Sequence, residues 1–241
     1  MRILITNDDS ISSPVLAPLA KWAQKLGEVT VVVPKFEQSG KSHSIELHKD
    51  FEVLKVEDLV PGVRTFTVDS SPADCVRYAI LGLHEKFDLV LSGINRGLNI
   101  GTDIIYSGTA GAAAEAVALG CKAIALSTQP ESFDSALAHL DTVWDFFVRH
   151  DLLSKNDLYN VNIPLEVKGL RVTRQGGPYY SDNFPSVGNG MVRPTGICVY
   201  EEGEDYTVDT HAALHGYISV SPLVFDRTAH SVFDALSHLN P

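Results

Sequence analysis

A chain of 241 residues with 44% hydrophobic and 20% charged residues can bury a substantial core and is too apolar for wholesale disorder. Its formal net charge of −11 argues against a nucleic-acid duplex as partner, since that needs clustered Lys and Arg, but leaves small phosphates open where a metal ion or backbone N–H groups supply the positive field. Cys75, Cys121 and Cys198 are odd in number and widely spaced, with no CxxC pair, so neither a disulfide framework nor a cysteine zinc site is indicated. No signal-like amino terminus and no bilayer-length apolar run are visible, so the chain reads as cytoplasmic, with no membrane partner.

Residues 2–6 are a short aliphatic strand ending in Asn7, Asp8 and Asp9. Residues 15–26 (VLAPLAKWAQKL) have helical apolar spacing before Gly27, and VTVVVP follows as a second strand, completing a β-α-β unit. The alternating stretches HSIELHKDFEVLKV and RTFTVDS predict a hairpin extension of the sheet. A helix over 72–83, a strand in FDLVLSGIN, a small-residue helix from Gly108 to Leu119, a strand in CKAIALS and a helix over 133–149 come next. This alternation predicts an α/β chain whose residues 1–150 form a Rossmann-like, doubly wound, mostly parallel sheet covered on both faces.

Beyond Asp151 the texture changes. LYNVNIP reads as a strand, Gly, Pro, Tyr and Asn crowd residues 176–196, GYISVSPL is strand-like, and RTAHSVFDALSHL reads as a closing helix. Residues 151–241 are expected to be an accessory region of strands and loops that completes the sheet and mediates oligomerisation.

In a doubly wound sheet, ligands gather beyond the carboxyl ends of the strands. Two adjacent carboxylates at that edge, Asp8 and Asp9, admit two readings: one caps the following helix while the other is solvated, or both hold a hard divalent cation with neutral oxygen ligands. The loop PKFEQSGKSHS brings Ser39 to the same edge, and Asn95, Asn99 and Asp103 offer oxygens in SGINRGLNIGTDIIYSGTAGAAAEA. Gly93, Gly97, Gly101 and Gly108 permit close backbone approach there. Ser107, Gly108 and Thr109 open the small-residue helix, either as a plain cap or as a phosphate site. Neither a GxxxxGK[ST] loop nor a GxGxxG fingerprint is present, which disfavours an NTPase or a dehydrogenase.

A binding or switch module without hydrolysis is the alternative, because DLVLSGI and an acidic pair after the first strand resemble a Mg²⁺-binding receiver domain. A receiver needs an aspartate where this chain has Ser92 and Gly93, and the chain is too long for one.

Taken together, TNDD at 6–9, QSGKS at 38–42, the segment 92–116, NVNIP at 160–164 and DTHAALHGYISVSPL at 209–223 resemble the survival protein SurE family, in order and over nearly the whole chain. The resemblance implies a metal-dependent phosphatase that hydrolyses nucleoside monophosphates (a 5′/3′-nucleotidase), with short polyphosphate as a further candidate substrate. It implies one divalent metal ion per subunit, Mg²⁺ or Mn²⁺, on Asp8, Asp9, Ser39 and Asn95. Asp8 and Asn95 are the catalytic candidates. Asn7, Ser107, Gly108 and Thr109 face the phosphate, and Asn99 and Asp103 shape the pocket. The nucleophile is either a water or Asp8, and His43 is a possible general acid or an ordinary surface histidine.

The family also implies a homodimer or homotetramer whose carboxyl-terminal region exchanges between subunits. Asp226 and His230, four apart near the start of the last helix, are then a hinge or intersubunit contact, or else a simple cap and surface pair. Gln38 stands where the family usually has Arg, with Lys41 a candidate substitute, and Ala116-Val117 follow Glu115 where a glycine is common. Phe36, Tyr106, Tyr179 and Tyr180 are candidates to stack on a base, or fill a core or an interface.

Overall fold

The computed structural model describes residues 1–239. Arg2–Thr6 is β1, and its side chains divide as a strand's must: Ile3 and Ile5 go to one face, Leu4 to the other. The helix α1 (Leu16–Ala23) covers the first face, and β2 (Glu28–Pro34) lies parallel to β1. The next elements are β3 (Val53–Val56), β4 (Arg64–Val68), α2 (Pro72–Arg77), β5 (Leu89–Arg96), α3 (Gly108–Ala118), β6 (Lys122–Thr128), α4 (Asp134–Arg149) and α5 (Leu152–Lys155). After them come β7 (Leu158–Ile163), β8 (Gly169–Val172), β9 (Tyr180–Asn183), β10 (Ser186–Gly188), β11 (Met191–Val192), β12 (Thr195–Cys198), α6 (Asp209–Leu214), β13 (Tyr217–Leu223) and α7 (His230–Leu236).

Nine strands form one sheet in the order β3-β4-β2-β1-β5-β6-β7-β13-β8, parallel except where β3 meets β4 and β13 meets β7. Leu16, Leu19, Leu140 and Phe147 from α1 and α4 pack on one face. Cys75, Val76, Ala112, Ala113 and Ala116 from α2 and α3 pack on the other, where small side chains let α3 lie close to the sheet. The chain builds outward from β1 through β2 on one side and through β5 on the other. The strand order therefore reverses between β1 and β5, and a crevice opens beyond their carboxyl ends.

Several expectations change. Residues 43–52 are not strand: Glu46 Oε1 accepts from the N–H groups of Leu47, His48 and Lys49 at 3.0, 2.8 and 3.1 Å, so a side chain takes donors that a ladder would need. Only the ends of the anticipated hairpin survive, as the antiparallel pair β3 and β4, and β4 continues the parallel sheet beside β2. The helix over 72–83 divides into α2, capped by Ser71, and a π-turn over Tyr78–Gly82. The loop-like stretch 176–196 contains the two small hairpins β9–β12 and β10–β11, while α6 and β8 are additional to the predicted elements. The closing helix begins only at His230, so Asp226 lies in the segment before it rather than on its face. The two side chains still meet, at 2.8 Å.

Candidate functional site

Asn7, Asp8 and Asp9 leave β1 at the point where the strand order reverses. Asn7 is fully buried: its Nδ2 donates to the Ser10 carbonyl at 2.9 Å, closing a tight turn, and its Oδ1 has no partner. Asp8 is buried against the start of α3, where its Oδ1 accepts from Thr109 Oγ1 at 2.5 Å and its Oδ2 from Thr109 N at 3.3 Å. Gly108 permits this approach, since a Cβ there would stand 3.0 Å from Asp8 Cβ and 3.2 Å from Pro72 Cγ. Asp9 Oδ2 accepts from the backbone N–H of Arg96 at 3.0 Å, which ties the end of β1 to the end of β5 beside Asn95.

β5 carries one residue more than β6 between the pairs Ser92–Ala125 and Asn95–Ser127, a bulge at the rim of the crevice. Just past it, Asn95 Nδ2 donates to the Gly97 carbonyl at 2.8 Å. The loop after β2 joins the same edge through Gln38 N–H, which donates to the Asp8 carbonyl at 2.8 Å. Ser39 is exposed, and its hydroxyl donates to Glu37 Oε1 at 2.6 Å rather than to either aspartate. Ser107 caps α3, accepting from Ala110 N at 3.0 Å. Asp8, Asp9, Asn95, Gly108 and Thr109 are thus brought together directly, while Ser39 is held one residue away by its loop.

Burial and mutual repulsion outweigh the one opposite charge nearby, that of Arg96. Burial is the largest cause raising Asp8 above the usual carboxylate range. Burial first, and then the neighbouring Asp8 charge, push Asp9 up to about 6. Glu37, which the sequence reading did not single out, raises both further. Neither aspartate makes a salt bridge among the described residues: the Arg96 guanidinium turns away, donating to the Pro130 carbonyl at 3.1 Å and lying 5.8 Å from the Phe133 ring centroid. The two carboxylates, the Asn95 amide and the unpartnered Asn7 Oδ1 at this edge, with the Ser39 hydroxyl on the adjoining loop, are all oxygen donors, the chemistry that suits a hard divalent cation. No group of three or more His, Cys, Asp and Glu placed to hold a metal ion occurs among the described residues, so a cation on Asp8 and Asp9 would need neutral oxygens to complete its shell.

Behind this edge lies a set of polar clamps that sequence reasoning missed. Asn160 and Asn162, both fully buried in β7, donate to the Asn99 carbonyl at 2.8 and 2.9 Å, and Asn162 Oδ1 accepts from Asn99 N–H at 2.8 Å. The Asn99 side chain is tied back as well, its Nδ2 donating to Ser127 Oγ at 2.8 Å. Asp209, nearly fully buried at the start of α6, accepts from the N–H groups of Gly101, Gly176 and Thr210 at 3.0, 2.8 and 2.7 Å. Asparagines two apart within an otherwise apolar strand were a legible signal, since they share a face. Asp209 gave none.

His43 is not a surface histidine. It is half-buried, 2.7 Å from Glu115 Oε2, and Glu115 Oε1 accepts from Arg77 at 2.9 Å, so these groups pin the Ser39 loop onto α3. Of the four aromatic candidates, Phe36, Tyr106 and Tyr180 are exposed and Tyr179 is half-buried. Lys41 is exposed as well.

Comparison with known proteins adds a direct likeness. A family model described as Survival protein SurE matches residues 3–182. The 5′-nucleotidase SurE of Syntrophotalea carbinolica is 39% identical over 250 residues, covering 98% of this chain and 96% of that protein. The 5′-nucleotidase SurE of Natranaerobius thermophilus is 33% identical over 258 residues, covering 99% and 98%. Among solved structures, the SurE protein from Aquifex aeolicus superposes with a TM-score of 0.78 at 33% identity, covering 100% of both chains.

Proposed function

The chain belongs to the survival protein SurE family and is a metal-dependent nucleotidase, a phosphoric monoester hydrolase, and from that premise we propose which of its residues carry the reaction. Asp8, Asp9, Asn95 and Ser39 hold a divalent ion, Mg²⁺ or Mn²⁺. When bound, that ion neutralises charge on the phosphoryl oxygens and so lowers the barrier to their transfer. The observation that carries this reading is the acidic pair of buried Asp8 and half-buried Asp9, which makes no salt bridge among the described residues, beside a buried Asn7 oxygen without a hydrogen-bond partner.

The chain's own residues do the rest. Thr109 fixes Asp8 through both of its oxygens, which suits Asp8 to holding and orienting rather than attacking, and so favours water as nucleophile. The Gly108 N–H group and the Ser107 hydroxyl offer donors to phosphate oxygens where the helix field is positive, the next N–H groups of α3 being taken by Asp8 and Ser107. The bulge in β5 and the Asn99 clamp keep Asn95 at a fixed height above the strand ends. The switch-module alternative is not favoured by the likeness to nucleotidases, and Ser92 is buried with its hydroxyl donating to the Thr109 carbonyl at 2.7 Å.

The substrate is a nucleoside monophosphate. The test is phosphate release from a panel of these after chelation and then with Mg²⁺ or Mn²⁺ restored. Asp8→Asn is expected to lower the restored rate on the order of a hundredfold or more. Metal binding to the wild type, by calorimetry, without phosphate release from any monophosphate would overturn the reading.

We also infer that the protein acts as a homodimer or homotetramer assembled through its carboxyl-terminal arm. Phe225, Val232, Phe233 and Leu239 are 48%, 54%, 56% and 69% exposed, and no residue of α7 is buried by its own chain. No helix among the described residues is long and apolar enough to cross a membrane. A reducing cytoplasm suits the free Cys75, Cys121 and Cys198.

A further inference from the structure

The edge that carries the site continues into a second cavity. A 3₁₀ turn over Gly101–Tyr106 runs directly into Ser107 and α3, and the hairpin of β9 and β12 rises opposite it. Between turn and hairpin lies a space of about 440 Å³ lined by Asp103, Tyr106, Tyr180, Asp182 and Gly196. That volume lies within the usual range for a small-molecule site.

Its walls are fixed from behind. Asp103 Oδ2 accepts from Tyr179 N at 3.2 Å and Tyr180 N at 2.7 Å, which fastens the base of the hairpin to the turn. Thr102 N–H donates to the Gly177 carbonyl at 3.2 Å, and Gln175 Nε2 donates to the Gly101 carbonyl at 3.0 Å. The Tyr180 ring packs edge-on against Tyr179 with centroids 4.5 Å apart, and Tyr179 leans on Tyr200 at 5.9 Å. Tyr106 and Tyr180 are nonetheless 61% and 55% exposed, so two oriented aromatic rings border the cavity with much of their surface uncovered.

We propose that this cavity receives the base of the nucleotide, stacked on Tyr106 and Tyr180, and that Asp182 selects bases bearing an exocyclic amino group. The proposal rests on placing the phosphate at the start of α3. Tyr106 immediately precedes Ser107, about 3.8 Å away between Cα atoms, so a nucleoside extending from that phosphate meets the aromatic wall first. Stacking tolerates any base, because every base has a π-face. A carboxylate accepts hydrogen bonds and donates none, so it pairs with the amino group on C6 of adenine or C4 of cytosine and repels the carbonyl that hypoxanthine presents at the same place.

The experiment compares kcat/KM for AMP, IMP and ribose 5-phosphate in the full-length, metal-loaded enzyme. In Tyr106→Ala and Tyr180→Ala the ratio of AMP to ribose 5-phosphate should fall about five- to a hundredfold, mainly through the KM for AMP. Tyr180→Phe, which keeps the ring, should restore it. Asp182→Asn, which adds a donor, should narrow the preference for AMP over IMP. An unchanged ratio in both alanine variants, or a wild type that hydrolyses ribose 5-phosphate as well as AMP, would sink the proposal. Failure of the phosphate placement itself would look different: ribose 5-phosphate turnover would survive Ser107→Ala and Asp8→Asn undiminished.

Discussion

The turn Gly101–Tyr106 and the closing helix α7 are both short segments outside the sheet, and they are held in opposite ways. The turn is bonded from every side by its own chain: Asp209 and Gln175 grip Gly101, Gly177 receives Thr102, Asp103 takes the hairpin, and Ser42 donates to the carbonyls of Ile105 and Tyr106. Gly101 itself adopts φ 59°, and a Cβ there would run into the Gly177 carbonyl. By contrast, α7 offers Val232, Phe233 and Leu236 to solvent and buries none of its residues. The difference separates two kinds of order. Polar clamps inside one chain fix the turn that leads into α3, whereas the arm carries apolar surface that its own chain leaves uncovered.

The largest effect should come from removing a clamp. Asp209→Ala leaves three N–H groups, two buried and one half-buried, without their charged acceptor. Bonds to charged groups contribute about 1.5–3 kcal/mol each, and their losses overlap, so a destabilisation of about 3–5 kcal/mol is expected in urea unfolding. Phosphate release should fall with it, because the segment leading to Ser107 loses its anchor. A loss below about 1 kcal/mol, no more than an ordinary substitution gives, would show that the turn is held by packing instead.

Much of the sheet was readable because β1, β2, β5 and β6 are largely aliphatic and buried on both faces, and burial of that kind leaves a pattern in the sequence. The small residues at Gly108, Ala112, Ala113 and Ala116 likewise announced a helix pressed close to the sheet. The hairpins of residues 180–198 left no such trace: they are exposed throughout, and Thr195–Cys198 pairs with Tyr180–Asn183 across a long loop. The six-residue α6 is too short to show a helical period. At the site, the acidic pair and the start of α3 were legible as residue types. The roles of Asp209, Glu37 and Glu115 were not, because each depends on partners distant in the chain.

The arm supplies the opposite test. Replacing Val232 and Phe233 together with Ser should leave the unfolding of the sheet domain unmoved when measured at subunit concentrations where wild type is dissociated. Each apolar side chain buried in an interface contributes about 1.5–3 kcal/mol, so the pair should weaken assembly at least about a hundredfold. Light scattering over a dilution series reads this directly. An unaltered dissociation curve would mean that α7 is not the contact.

The smallest effect concerns the link between the Ser39 loop and α3, where both kinds of order meet. Glu115 is held below the ordinary carboxyl value of 4.5, first by its hydrogen bond with His43 and then by Arg77, with Asp74 the other acid near that guanidinium. A depressed carboxyl stabilises the fold above its unfolded value, and that contribution is lost as pH falls below 4.5 through the lower folded value. Glu115→Gln should therefore flatten the acid limb of the stability profile while costing about 1 kcal/mol near neutrality, since His43 and Arg77 are partly screened by solvent. If the link also positions the loop, the same variant should raise the metal concentration needed for half-maximal phosphate release while leaving the rate at saturating metal nearly intact. A fall in the saturated rate with no change in metal requirement would place Glu115 on the packing of α3 rather than on the loop that carries Ser39.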